Sequence, residues 1–212
     1  MNGSFRFPCR PGGLAITAKG LSLCNFPSKS RLIDIGCGNG LTIRHLGENS
    51  PFRVCGVDLH PTQISSDFPV TQSDSTSLPF GDDCFDGALM ECSLSTMADR
   101  ESALREVHRV LKIESRLILS DVYARGTPAR LNGCLTRIDR IETFQSLLHE
   151  HGFRVDFFED HSVHLRQQWG QMVFDHGLAD FCSALGSDPD ELRTIKTGYC
   201  LIIARKKRKT HG

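Results

Sequence analysis

Apolar residues fall in two rhythms along this chain. Short runs rich in Val, Ile and Leu, bounded by glycine or charge, read as buried strands. Longer stretches with apolar positions three and four apart read as amphipathic helices. Residues 31–35 (RLIDI) form the first expected strand, followed by a glycine cluster and a short helix near 41–46. Strands are expected at 53–57, 68–71 and 84–90, with a short helix or turn at 61–66. Asp99 is a candidate N-cap for a helix whose apolar face is Ala103, Leu104, Val107, Val110 and Leu111. A strand at 116–122 follows, then a helix carrying Ile138, Ile141, Phe144, Leu147 and Leu148 that ends near Gly152. Phe153, Val155 and Phe157 alternate as a strand. Leu165, Trp169, Met172 and Val173 mark an inserted helix before the last strand at 199–204.

Strands alternating with helices predict an α/β fold: a seven-stranded, mostly parallel sheet flanked by helices, with a helical insertion before the last strand. The organisation reads as an N-terminal helical or cap segment (1–30), a core (31–159), a helical insertion (160–197) and a last strand with a basic tail (198–212). The insertion suits a substrate lid, a dimer surface or simple core packing of its Trp and Met. Either a monomer or a homodimer is compatible with it.

Charge removes some partners. Lys plus Arg equals Asp plus Glu at 25 each, so no global field points to nucleic acid or an anionic membrane. The one basic run, residues 205–209, reads as a solvated tail. No apolar run approaches the ~20 residues that span a bilayer, and the first residues lack a signal-peptide core. A cytoplasmic, reducing environment is therefore expected. The nine cysteines are odd in number and contain no Cys-x-x-Cys pair, which argues against a disulfide framework or a zinc knuckle.

The stretch Leu32-Ile-Asp-Ile-Gly-Cys-Gly-Asn-Gly40 is the most informative. A strand runs into Gly36, Gly38 and Gly40 and then into a helix, where glycines let a ligand approach the backbone and the helix start offers unpaired N–H groups. A dinucleotide fingerprint needs Gly-x-Gly-x-x-Gly; here Leu41 stands where the third glycine belongs, which disfavours a dehydrogenase. The second strand ends on Asp58, an acid placed to accept from ribose hydroxyls, with a helix cap as its plainer use.

Asp34-x-Gly36-x-Gly38-x-Gly40 after a strand resembles the first motif of class I S-adenosylmethionine-dependent methyltransferases, which are Rossmann-like. The segment Asp74-Ser-Thr-Ser-Leu-Pro-Phe80 is similar to their third motif, and Glu106-Val-His-Arg-Val-Leu111 to their Arg-Val-Leu helix. Ile113-Glu-Ser115 departs from the usual Pro-Gly-Gly in the turn after that helix. The match runs from Arg31 to Val122, more weakly to Arg205, and extends to the type 11 and quinone C-methyltransferase-like members. The resemblance implies S-adenosylmethionine as cofactor, held by Asp34, the three glycines, Asp58, Leu59, Asp74, Ser75 and Glu91. Asp74 would accept from the adenine amine and the backbone N–H of Ser75 would reach a ring nitrogen.

The acceptor is harder to read. Glu91-Cys-Ser-Leu-Ser95 follows the fourth strand, without the Asn/Asp-Pro-Pro-aromatic run of enzymes that methylate nucleic-acid amines. A small-molecule acceptor is the main expectation. Asp121 and Tyr123, at the carboxyl end of the fifth strand, are candidates to orient or deprotonate it, with structural hydrogen bonding as the plainer reading. Cys92 and Cys134 resemble the cysteine layout of arsenite methyltransferases, and thiolates suit soft metalloids; Cys9 and Cys24 are unplaced. Buried core cysteines are the ordinary alternative. The combination of Arg10-Pro-Gly-Gly13 with the Glu91, Ser120-Asp-Val-Tyr and Glu159-Asp-His-Ser stretches is similar to a bacterial branch of these enzymes whose acceptor is open. The Arg10–Gly13 turn is a candidate to fold over the cofactor or to be a plain loop. His161 and His164, three apart, have no third partner, so no metal is expected. A non-catalytic S-adenosylmethionine-binding protein remains the second class of function.

Overall fold

In the computed structural model, which describes residues 10–62 and 68–208 apart from the side chain of Cys134, the Val/Ile/Leu runs pair into one sheet. Its strands are β1 (Arg31–Ile35), β2 (Arg53–Asp58), β3 (Val70–Gln72), β4 (Phe85–Glu91), β5 (Leu111–Ala124), β6 (Phe153–Asp160) and β7 (Thr197–Lys206). They lie in the order β3-β2-β1-β4-β5-β7-β6. Five strands run parallel, and β7 is antiparallel to both β5 and β6. The sheet is therefore mostly parallel, with an antiparallel edge.

Alternation along each strand sends side chains to two layers. Leu32, Val54 and Leu89 join a layer with Ile16 of α1 (Leu14–Cys24) and Ile43 and Leu46 of α2 (Leu41–Asn49). Ile33, Ala88 and Met90 face the other side, against Leu104 and Val107 of α3 (Arg100–Val110) and Phe144 and Leu148 of α4 (Ile141–Glu150). The same parity places Asp34, Asp58 and Glu91 at strand ends on the α1/α2 side.

Several boundaries move. The third strand is Val70–Gln72, rather than 68–71. The expected turn at 61–66 falls largely outside the described residues. Asp99 caps α3, accepting from Ser102 N at 2.9 Å. Ile138 is not helical: it bridges to Ala129, and α4 starts at Ile141. The fifth strand begins pairing at Leu111, five residues early, through a bulge between Phe85 and Gly87 of its neighbour. In that bulge Glu114 takes φ 65°, the left-handed conformation a glycine would occupy without strain.

The insertion is three helices rather than one: α5 (Ser162–His176), α6 (Leu178–Leu185) and α7 (Pro189–Ile195). Gly177, with φ 87°, breaks α5 from α6, and Asp188 caps α7 by accepting from Asp190 N and Glu191 N. Trp169 packs edge-on against Phe181, with ring centroids 5.3 Å apart. The basic run is not a free tail at its start. Arg205 pairs with Asp156 at 2.7 Å, and buried Lys206 reaches Asp83 at 2.7 Å and donates to the Leu111 carbonyl. Among the described residues no helix is long and apolar enough to cross a membrane.

Candidate functional site

Strand order reverses between β1 and β4, so the connections leaving the carboxyl ends of these two strands diverge. A crevice must open there. It holds a cleft of about 1020 Å³ lined by the glycine loop, the ends of β1, β2 and β4, the loop after β3 and the segment after β4.

The loop is bent by its own backbone. Gly36 N and Cys37 N both donate to the Val57 carbonyl, at 2.8 and 3.1 Å. Gly36 has φ 76°, and a Cβ there would sit 2.5 Å from Cβ of Ser93, so only glycine fits. Gly38 has open space where a Cβ would be, which leaves its backbone accessible in the cleft. Gly40 does not line the cleft. It is the N-cap residue of α2, with no side-chain cap, so the first amides of that helix are left without an intrahelical acceptor.

Four of the five carboxylates that line the cleft are in four different states. Asp58 accepts from Gly38 N through Oδ2 and from His60 N through Oδ1, each at 2.8 Å, so it pins the glycine loop to the loop after β2. Asp74 accepts from the backbone N and the hydroxyl of Thr76, which hold its carboxyl below the usual range. Glu91 is buried and fully engaged, with Arg10 at 2.9 Å, Thr17 Oγ1 at 2.5 Å and Thr42 Oγ1 at 2.7 Å. Asp34 is only 3% exposed, and its carboxyl group has no hydrogen-bond partner among the described residues. Burial, and then the charge of Glu91, push its carboxyl well above the ordinary carboxylate range. Leu59 and Ser75 also line the cleft; Leu59 is 52% exposed there, and Ser75 Oγ contacts Met97 Sδ.

The expected catalytic residues separate. Cys92 lines the cleft in a left-handed conformation, φ 52°, with Sγ 3.3 Å from the Tyr199 hydroxyl. Cys134 lies in the short turn Gly133–Leu135, and its side chain is outside the described set. Tyr123 is buried against Phe158 and does not line the cleft. Asp121 is completely buried below the cleft, accepting from Ser95 N, Ser95 Oγ and Val122 N at 2.8, 2.6 and 2.8 Å. It anchors the turn Leu94–Thr96, whose last residue lines the cleft, and so positions the wall rather than touching a ligand.

Burial pushes the Asp121 carboxyl up to about 6, against the pull of its Ser95 and Val122 bonds. Its folded pKa thus exceeds the unfolded value of about 3.9. Between those values the native state binds more protons, so stability falls as pH rises from about 4 to about 6, by roughly 3 kcal/mol for this group. Asp121→Asn, which cannot titrate, is expected to show a flatter profile of thermal midpoint against pH from 4 to 7. Parallel profiles for the two proteins would refute this.

The metalloid alternative finds no support. Among the described residues no cluster of three His, Cys, Asp or Glu side chains suits a metal. Burial raises the thiols of Cys24 and Cys37 to about 12 and Cys55 to about 11, which keeps them protonated. His161 lies 2.8 Å from Glu159 and stacks on His164. The sequence reading missed Thr17, Thr42 and the link from Arg10 to Glu91; the Arg-Pro-Gly-Gly turn was its only signal.

Residues 33–119 match the family described as "Methyltransferase domain". The chain is 29% identical to 27-O-demethylrifamycin SV methyltransferase of Amycolatopsis mediterranei, over 83% of this chain and 77% of that protein. Its fold is similar to that of the [4+2]-cyclase SpnF, at TM-score 0.75 and 24% identity, covering 91% of this chain and 80% of that one. It is also similar to Haemonchus contortus phosphoethanolamine N-methyltransferase 2 in complex with S-adenosyl-L-methionine, at TM-score 0.74 and 15% identity, covering 94% and 54%. At these identities the two structures establish a shared fold.

Proposed function

We propose that this chain, whose residues 33–119 match a methyltransferase domain, transfers a methyl group from S-adenosylmethionine to a small-molecule acceptor. The observation that carries the reading is buried Asp34, a carboxylate with no described partner in a glycine-walled cleft at the strand-order reversal. An unpaired buried carboxylate is costly and calls for a cationic partner. The cofactor's ammonium is such a partner, and the residues around it fit the rest of the molecule.

Asp58 presents two carboxylate oxygens, already held in place, to the ribose hydroxyls. Asp74 accepts from the adenine amine, and Leu59 offers exposed apolar surface to the base. Gly36 and Gly38 let backbone and ligand approach closely. Glu91, spent on Arg10 and two threonines, shapes the floor near Asp34. When bound, the cofactor supplies a methyl on a sulfonium, an already activated leaving group. The protein's part is then alignment, which alone contributes up to ~7–11 kcal/mol. Cys92, Thr96 and Met97 wall the segment after β4, where the acceptor would meet the methyl.

The relative named for a 27-O-demethyl compound supports an oxygen nucleophile in a small molecule. The seven described cysteines are unbridged, which suits a reducing compartment such as the cytoplasm. The test is calorimetric binding of S-adenosylhomocysteine, followed by its release from S-adenosylmethionine with a panel of hydroxylated small molecules. Binding and acceptor-dependent release are expected. Binding without release on any acceptor would favour a non-catalytic cofactor-binding protein, and no binding would overturn the reading.

A further inference from the structure

We propose that Arg10, from the segment preceding residues 33–119, holds the carboxylate of the cofactor's amino-acid end. This rests on the reading of the cleft given above.

The cleft is acidic. Five of its lining residues are Asp or Glu, and Arg10 is the only basic one among the described residues. Such a lining suits an ammonium and a sulfonium, but it repels a carboxylate everywhere except beside Arg10. An amino acid brings both charges on one carbon. The partner of its ammonium, Asp34, and the partner of its carboxylate must therefore be close neighbours. Arg10 meets this condition: its pull on the Asp34 carboxyl is among the interactions that set that group's titration, and it pairs with Glu91, which acts on Asp34 as well.

Arg10 is also built to stay in place with donors to spare. Gly13 N donates to the Arg10 carbonyl at 3.0 Å, closing a turn with Pro11 second and Gly12 third at φ 76°. Proline second and a positive-φ glycine third are the type II preferences, so the Arg-Pro-Gly-Gly stretch dictates this turn. The guanidinium then donates through Nη1 to Thr42 Oγ1 at 2.6 Å and through Nη2 to Thr17 Oγ1 at 2.5 Å, and Nη2 forms an ion pair with Glu91 at 2.9 Å. Both threonine hydroxyls in turn donate hydrogen bonds to Glu91. The ring of contacts ties the guanidinium to α1, α2 and β4 together. Of five N–H donors, Nε and one hydrogen on Nη1 are left without a described partner. A fixed cation with unused donors in an acid-lined cleft is a pre-organised carboxylate site.

The test compares ligands that differ at this one group, by calorimetry on the full chain. S-adenosylmethionine carries the carboxylate, its decarboxylated form lacks only that group, and methylthioadenosine lacks the whole amino-acid end. Arg10→Ala is expected to weaken S-adenosylmethionine about 10- to 100-fold, with the other two changing less than about 2-fold. Arg10→Lys, which keeps a point charge, is expected to fall between. Equal losses on all three ligands would assign Arg10 to shaping the cleft and overturn the proposal. So would no loss on any of them. If the wild type bound none of the three, the reading of the cleft would fall and this inference with it. Thermal midpoints of both variants, measured alongside, separate misfolding from loss of the contact.

Discussion

Asp58→Ala is expected to weaken binding of S-adenosylmethionine by about 100-fold, with only a small change in thermal midpoint. The carboxylate does two things at once. Its oxygens accept from Gly38 N and His60 N, pinning the loops that flank the cleft. On the reading proposed above, their remaining lone pairs accept from the ribose. Hydrogen bonds to a charged group contribute about 1.5–3 kcal/mol each, so losing two to ligand costs about 3 kcal/mol at the lower end of that range, which is about 100-fold. Asp58 is half-buried at the end of β2, and water can replace it in the free protein, which keeps the stability cost small. Asp58→Asn retains one acceptor oxygen and should lose less. Titration calorimetry decides the matter: affinities equal to wild type in Asp58→Ala would remove Asp58 from the cofactor site.

The second large effect concerns Asp34, where stability and binding are expected to move in opposite directions. Burial and the nearby Glu91 charge raise its folded pKa above the unfolded value. The native state then binds the extra proton over the window between the two values. The contribution of this group to stability is therefore lost as pH rises through that window. A cationic ligand favours the ionised carboxylate. Cofactor affinity should accordingly rise with pH over the same interval, with a proton released on binding. Asp34→Asn cannot ionise. It should be more stable than wild type at alkaline pH, yet bind the cofactor about 10- to 100-fold more weakly, the range of one charge-assisted bond, with a flat pH dependence. Such a trade between stability and function is common at binding sites. Calorimetry in buffers of different ionisation enthalpy counts the proton. Absence of proton release, together with a pH-independent wild type, would show that Asp34 does not face the ligand's cation.

Much of this was legible because it is local. The period-2 run Leu32-Ile33-Asp34-Ile35 places Asp34 on one sheet face whatever the rest of the chain does. Gly36 needs a positive φ at the strand end, and sequence spacing alone separates this loop from a dinucleotide fingerprint. Asp99 announces its helix by capping chemistry confined to three residues. The errors were also physical. Ile138 has helical spacing to Ile141, but an apolar residue before a helix satisfies the same pattern when it bridges to Ala129 instead. Arg205 and Lys206 look like a solvated tail by composition, and become strand residues because Asp156 and Asp83 lie where the last strand ends.

What the sequence by itself determined is the alternating α/β order, the glycine loop and the acids at the strand ends, since each follows from backbone preference or side-chain parity over a few residues. What only the tertiary structure decided is which polar groups share a charge environment. Asp121 lies near the end of β5 as Asp58 ends β2, yet one is sealed beneath a turn and the other opens on the cleft. Arg10 and Glu91 are distant along the chain and meet only because the turn before α1 folds back over the end of β4. Electrostatic interaction depends on distance through space and on burial, and neither is a local property of the chain.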